Sequence, residues 1–184
     1  MPFSFIQIFQ INLIGLIVIY KKNYISIFSV FIILINMQVK AVTYEDELWN
    51  KLIDYANSCD REAWPILAQK MQSDSFSDWE KIFVVVENDN IVWYCTFTKE
   101  DWVPDCEYTP FVWFVFVDEK YRWKRYSEKM IDAVEEYAKT LGFKQLYIVS
   151  DHKWLYEKYW FDKCDTKTDE LWRTETIFVR EIKY

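Results

Sequence analysis

Residues 111–117 read Phe111-Val112-Trp113-Phe114-Val115-Phe116-Val117, and residues 118–127 continue Asp118-Glu119-Lys120-Tyr121-Arg122-Trp123-Lys124-Arg125-Tyr126-Ser127. The first seven are apolar without a break. They are too few for a buried helix and are bounded by Pro110 and Asp118, so they predict a central strand covered on both faces. Beyond them, Arg122, Lys124 and Arg125 stand just ahead of an amphipathic helix carried by Met130, Ile131, Val134, Tyr137, Ala138 and Leu141. Gly142 ends that helix as a left-handed cap. A strand, a basic loop and a helix N-terminus in succession suit a phosphate, because the first-turn N–H groups are unpaired and the helix dipole favours negative charge. Taken alone, the loop reads equally as an exposed charged turn.

Downstream, Lys144 to Val149 predicts a strand, Lys153 to Tyr159 a short helix, and Phe161 to Cys164 and Thr176 to Ile182 two closing strands. Upstream, the β-branched runs Ile82 to Glu87 and Ile91 to Thr98 are joined by Asn88-Asp89-Asn90, residues that tolerate the left-handed backbone of a hairpin turn. Before the hairpin come a short strand at Val39 to Val42, a helix over Tyr44 to Ser58, and a second helix with Asp60 as N-cap that ends at the polar cluster Ser73 to Asp78. The order is β, two helices, three strands, helix, strand, helix, two strands, an α/β arrangement with a mixed sheet.

That order, the segment Phe114 to Arg122 and the later Leu155-Tyr156-Glu157-Lys158-Tyr159-Trp160-Phe161 resemble the GNAT superfamily of acetyl-coenzyme A-dependent N-acetyltransferases. The resemblance runs from about Met37 to the C-terminus. It implies the GNAT (acyl-CoA N-acyltransferase) fold, a mixed central β-sheet flanked by helices, with acetyl-CoA as cosubstrate. The family's phosphate loop reads Arg or Gln, two variable residues, Gly, one variable residue, then Gly or Ala. Arg122 matches its first position, whereas Arg125 stands at the middle glycine and Ser127 at the small residue. The implied coenzyme site is therefore Arg122, Trp123, Lys124, Arg125, Tyr126 and Ser127 for the phosphates, with Val115, Phe116 and Val117 pairing with the pantetheine amides.

The second motif resembles the family's Leu-Tyr-Glu-Lys-x-Gly-Phe, which places Tyr156 near the coenzyme sulfur. A phenol of ordinary pKa near 10 is a proton donor at neutral pH and matches the thiolate it would protonate. A packing role fits the same residue. Asp151 and His152 are candidates for the base by their place after a strand, and His has a suitable unperturbed pKa. Glu100, Asp101 and Asp105 lie on a loop suited to a cationic amine. The implied reaction is direct attack of an amine, of a small molecule or a protein, on acetyl-CoA. Two other readings remain: a catalytically weak acyl-CoA-binding module of the same fold, and a membrane-anchored interaction protein.

Composition bounds these readings. At 184 residues, 52% hydrophobic and with net charge −7, the chain suits one domain and disfavours a nucleic-acid surface, which needs clustered cations. Cys59, Cys95, Cys106 and Cys164 fit neither a redox pair nor a zinc spacing, and His152 is the only histidine, so no metal is expected. The cysteines read as reduced, mostly buried thiols of a cytoplasmic monomer or homodimer. Residues 1–36 form a separate apolar segment ahead of the 37–184 domain, with Lys21 and Lys22 as its only charges. Its first run is just long enough to span a bilayer, so any membrane contact runs through these residues. Rich in Ile, Phe, Asn, Lys and Tyr, the residues of A/T-rich codons, it reads equally as sequence upstream of an initiator at Met37.

Glycine and tryptophan counts are inverted. There are 2 Gly and 10 Trp, against about 13 Gly expected at an average 7%. Trp160 stands at the glycine of the second motif and Trp123 at a glycine of the phosphate loop. Trp64, Trp93, Trp113 and Trp154 are further candidates, whereas Trp49 and Trp79 read as ordinary core residues. UGA specifies Trp in some genetic codes and Gly in others, so one cause accounts for all six.

Overall fold

In the computed structural model, the residues described are 9–10, 37–58, 64–73, 75–87, 89–117, 126–169 and 172–184. The strands are β1 (Phe9–Gln10), β2 (Met37–Val42), β3 (Lys81–Glu87), β4 (Asn90–Thr98), β5 (Phe111–Val117), β6 (Gln145–Ser150), β7 (Asp162–Thr168) and β8 (Thr174–Glu181). The helices are α1 (Leu48–Ser58), α2 (Trp64–Gln72) and α3 (Tyr126–Thr140), and Glu157–Tyr159 forms a single 3-10 turn. The strands make one mixed sheet in the order β1-β2-β3-β4-β5-β6-β8-β7, seven of them from Met37 onward. All pairings are antiparallel except β5 with β6.

Alternation along β3 explains why its whole run is apolar. Phe83 and Val85 share a core with Met130, Ile131, Val134 and Ala138 of α3. Ile82, Val84 and Val86 turn the other way, toward Leu52 and Ala56 of α1 and Leu67, Ala68 and Met71 of α2. A strand buried on both faces has no polar side, and period-2 alternation decides which helix each residue meets. Each large side chain so buried contributes roughly 1.5–3 kcal/mol. The β3–β4 turn uses Asp89 at φ 64, as its Asx-rich sequence predicts.

α3 ends at a Schellman cap: the Phe143 N–H reaches the Ala138 carbonyl at 3.2 Å, the Gly142 N–H reaches Lys139 at 3.0 Å, and Gly142 sits at φ 81. The 3-10 turn ends with the same pair of bonds, from Phe161 N–H to the Tyr156 carbonyl at 3.1 Å and from Trp160 N–H to Glu157 at 3.2 Å. There the left-handed residue is Trp160, at φ 64. Trp154 (φ 66) and Trp172 (φ 62) are left-handed as well. All three are exposed, at 73%, 78% and 89% for residues 154, 160 and 172, so packing does not explain their side chains. Trp172 joins Trp154 and Trp160 as a glycine-like position. Trp93, by contrast, is 1% exposed in the core against Tyr126, and Trp113 is part of the opposite core.

The structure corrects several expectations. α1 begins at Leu48 rather than Tyr44, because Asp46 accepts from the Thr43 N–H at 2.7 Å and holds the preceding residues in a turn. The short helix expected over Lys153 to Tyr159 is reduced to the 3-10 turn, since the left-handed Trp154 breaks helical continuity. β7 and β8 are longer than expected, each covering the other's edge. Of three described cysteines only Cys95 is buried; Cys106 is half-buried and Cys164 exposed. Asp60, Cys59 and residues 118–125 lie outside the described residues. Among the described residues, no helix is long and apolar enough to cross a membrane.

Candidate active site

Among the described residues, the sheet opens at its only parallel step. β5 and β6 pair at Phe111 and Tyr147 alone, where the Tyr147 N–H meets the Pro110 carbonyl at 3.0 Å. Two features of β5 accompany the divergence. Against β4 its register slips between Tyr94 and Thr96, and Phe114 takes φ 48 there, the left-handed residue of a β-bulge. A bulge bends its strand and raises local twist. Past the bulge, Val115 packs toward the α3 core while Phe116 lies edge-on to Tyr55 at 6.0 Å and beside Tyr94 at 5.7 Å. Val117 pairs with Trp93. The β6-facing backbone edge of Val115 to Val117 is thus offered to whatever enters the notch.

Tyr156 stands beside the end of β6. It is 5% exposed, with ring contacts to Phe161 at 6.1 Å and Phe178 at 5.9 Å. Burial raises its phenol well above the ordinary tyrosine range, and the neighbouring Cys95, Tyr159 and Asp101 add to the rise while the Ser150 hydroxyl opposes it. It therefore stays protonated at neutral pH. Ser150 is itself buried and accepts the His152 N–H at 3.0 Å. The His152 ring is exposed, with Nδ1 3.9 Å from Asp151 Oδ1.

At the other rim, the first turn of α3 is tied to the 3-10 turn by a 2.5 Å hydrogen bond between Ser127 Oγ and the Tyr159 hydroxyl. Tyr126 is buried, its hydroxyl donating to Glu87 at 3.4 Å. Arg180 fastens the same region from β8, through Glu135 at 2.7 Å and Asp132 at 3.0 Å. Of the residues expected to hold phosphate, Arg122, Trp123, Lys124 and Arg125 lie outside the described residues, and Tyr126 and Ser127 open α3.

On the side of the sheet that carries α2 lies a cavity of about 440 Å³, lined by Asp101, Trp102, Trp113, Ser150, Asp151 and Glu175 among others. The others include Asp169 and Arg173, from the β7–β8 turn. Arg173 Nε is held by Asp169 Oδ2 at 2.7 Å and lies 3.9 Å from Glu175. Asp101 is one of three loop acids singled out in the sequence; Glu100 and Asp105 do not line this cavity. Asp151 was a candidate base by position, and the structure brings it to the same cavity. Asp169, Arg173 and Glu175 carry no sequence signal for a site, since only the pairing of β8 with β6 brings them here.

The profile of the acetyltransferase (GNAT) family matches residues 49–178. No curated protein matches the chain. Among solved structures, it resembles a GNAT family acetyltransferase from Elizabethkingia anophelis with acetyl-CoA bound (16% identity, 79% of this chain and 98% of that one, TM-score 0.56). A spermidine N-acetyltransferase variant from Vibrio cholerae is similar at 11% identity (79% and 93%, TM-score 0.57). So is an aminoglycoside 6'-N-acetyltransferase complexed with coenzyme A, at 10% identity (79% and 97%, TM-score 0.60). At such identities these likenesses show the fold. With the profile spanning well over half of the sequence and the sheet opening between β5 and β6, the chain belongs to the acetyltransferase (GNAT) family.

Proposed function

We propose that the protein is an N-acetyltransferase that moves the acetyl group of acetyl-CoA directly to an amine. The observation that supports this reading best is the coincidence of the β5–β6 notch with the buried, protonated Tyr156 at its end. Acetyl-CoA lies along Val115, Phe116 and Val117, with its phosphates toward residues 122–127. A neutral amine attacks the thioester carbonyl, the C–N bond forms as the C–S bond breaks, the Tyr156 phenol gives its proton to the leaving sulfur, and the surplus proton on the nitrogen restores the phenol. Burial makes the Tyr156 phenol a weaker acid than the ordinary tyrosine whose pKa matches a thiolate, so its suitability rests on position, with its ring fixed between Phe161 and Phe178 at the end of the notch. Similar solved structures hold acetyl-CoA or coenzyme A, and two carry names of amine acetyltransferases.

Calorimetric titration with coenzyme A followed by a thiol-release assay tests this. Tyr156→Phe keeps the ring and removes the donor, so coenzyme binding should persist while turnover falls about a hundredfold. Binding without turnover in the unsubstituted protein would instead make it an acyl-CoA-binding module.

A further inference from the structure

Two hydroxyls meet where the first turn of α3 lies against the 3-10 turn, at positions where the family patterns call for no hydroxyl. Ser127 stands at the Gly or Ala of the phosphate loop, and Tyr159 at the variable residue of Leu-Tyr-Glu-Lys-x-Gly-Phe. Their oxygens are 2.5 Å apart, at the short end of the O–H···O range, between residues 32 positions apart in the chain. Tyr159 is 7% exposed, so its phenol is withdrawn from water and the Ser127 hydroxyl satisfies it. The phenol is not what fastens the two elements together. The Tyr159 carbonyl accepts from Arg180 Nη1 at 3.3 Å, and Nη2 of the same guanidinium reaches Glu135 at 2.7 Å and Asp132 at 3.0 Å on α3. Within the turn, the Tyr159 N–H meets the Tyr156 carbonyl at 2.9 Å. These bonds hold the turn on α3 by its backbone, which leaves the hydroxyl pair a different task.

The direction of the hydrogen bond sets that task. A phenol is a stronger acid than an alkyl hydroxyl, and the alkyl hydroxyl is the better acceptor, so the shared proton belongs to Tyr159. The Ser127 proton is then left to be donated elsewhere. Side chains of a helix lean toward its N-terminus, and Ser127 is the second residue of α3. Its half-buried hydroxyl therefore leans toward the helix end whose N–H groups have no partner within the helix.

We infer that Tyr159 is a positioning residue for the coenzyme: it donates to Ser127 Oγ and so turns the Ser127 proton toward the pyrophosphate. The inference rests on the acetyl-CoA site proposed above. In the resulting chain, from the Tyr159 O–H to the Ser127 O–H to a phosphate oxygen, each bond polarises the next. The last donor meets a charged acceptor, where hydrogen bonds are strongest. Both hydroxyls keep their protons throughout. The phosphates do not react, so this contact is the same before and during acetyl transfer, and its loss weakens coenzyme binding rather than the chemical step.

The test is a double-mutant cycle on the full chain, with coenzyme A as the probe and calorimetry as the readout. Ser127→Ala removes the donor and should weaken binding about tenfold. Tyr159→Phe keeps the ring and leaves the Ser127 hydroxyl present but undirected, so the loss should be smaller, about threefold. The double variant should bind as Ser127→Ala does, because Tyr159 acts only through Ser127. In the phosphorus-31 spectrum of the bound coenzyme, Tyr159→Phe should move the pyrophosphate resonances and leave the 3'-phosphate resonance in place. A merely structural phenol would not single out the pyrophosphate. Unchanged affinity and unchanged resonances in Tyr159→Phe, or losses that simply multiply in the double variant, overturn the inference while leaving acetyl transfer standing. Failure of the unsubstituted protein to bind coenzyme A would instead overturn the reading on which it rests.

Discussion

Trp160→Gly should behave opposite to an ordinary glycine substitution. Gly142 and Trp160 close two Schellman caps with the same hydrogen bonds, so the α3 cap shows what the second cap favours. At φ 64 a residue with a Cβ carries a left-handed penalty of about 1–2 kcal/mol. Glycine removes that penalty but gives the unfolded chain more freedom, costing about 0.4–1 kcal/mol. Trp160 is 78% exposed, so its indole contributes little packing, and whatever it does contribute is lost equally in Trp160→Ala. Alanine is therefore the reference. Gly should be more stable than Ala at 160 by about 0.5–1 kcal/mol, whereas in regular elements Gly is worse than Ala by about 0.5–1 kcal/mol. The same reversal is expected at 154 and 172, from φ 66 and φ 62. Urea unfolding reads it as a higher midpoint at unchanged slope, or as roughly 2–4 °C in Tm per kcal/mol for a chain of this size. At Trp93, in the core at 1% exposure, the same change to Gly should cost about 3–5 kcal/mol. Alanine equal to or better than glycine at all three exposed positions would refute the reasoning. Peptide masses of the protein from its own cells, with Gly at 154, 160 and 172, would explain why three tryptophans occupy a conformation their side chains do not favour.

Four further outcomes follow from the geometry and the sequence. Because burial holds Asp101 protonated up to about 7, against 3.8 for the free group, the folded chain keeps a proton that the unfolded chain releases between those values. Stability should fall as pH rises across that window, and Asp101→Asn should flatten the slope in pH-dependent melts. Replacing Arg122 and Arg125 together with Ala should abolish coenzyme A binding without lowering Tm, and binding by the unsubstituted protein should weaken as salt rises. Met130→Ala, at a fully buried position of α3, should cost about 2–5 kcal/mol in urea unfolding. A chain beginning at Met37 should keep coenzyme A affinity and melt within a few degrees of the full chain, since among the described residues the buried core begins with Val39.

The parts of the fold that were legible are those where one local rule dominates. The apolar run Phe111 to Val117 matches β5 at both ends, and Gly142 marks the α3 cap, because burial on both faces and a left-handed terminus each leave an unmistakable pattern. The start of α3 at Tyr126 was less plain, since its first turn is polar and resembles the preceding loop. The helix expected over Lys153 to Tyr159 failed for the opposite reason: its composition suits a helix, but the left-handed Trp154 interrupts it. Tyr156 and Asp101 could be singled out by motif and by loop acidity. Their relation could not, because the cavity is assembled from α2, the β4–β5 loop, the end of β6 and the β7–β8 turn. Glu175 reaches it only through the crossing of β8 to pair with β6, a long-range contact that no local pattern encodes.

Mass analysis of the amine after incubation with acetyl-CoA, with free thiol counted in the same mixture, tests acetyl transfer most directly. The account predicts N-acetylated amine and coenzyme A thiol in equal amounts, both lost about a hundredfold in Tyr156→Phe. Thiol released as free acetate without acetylated amine, or equal yields from Tyr156→Phe and the unsubstituted protein, would contradict it.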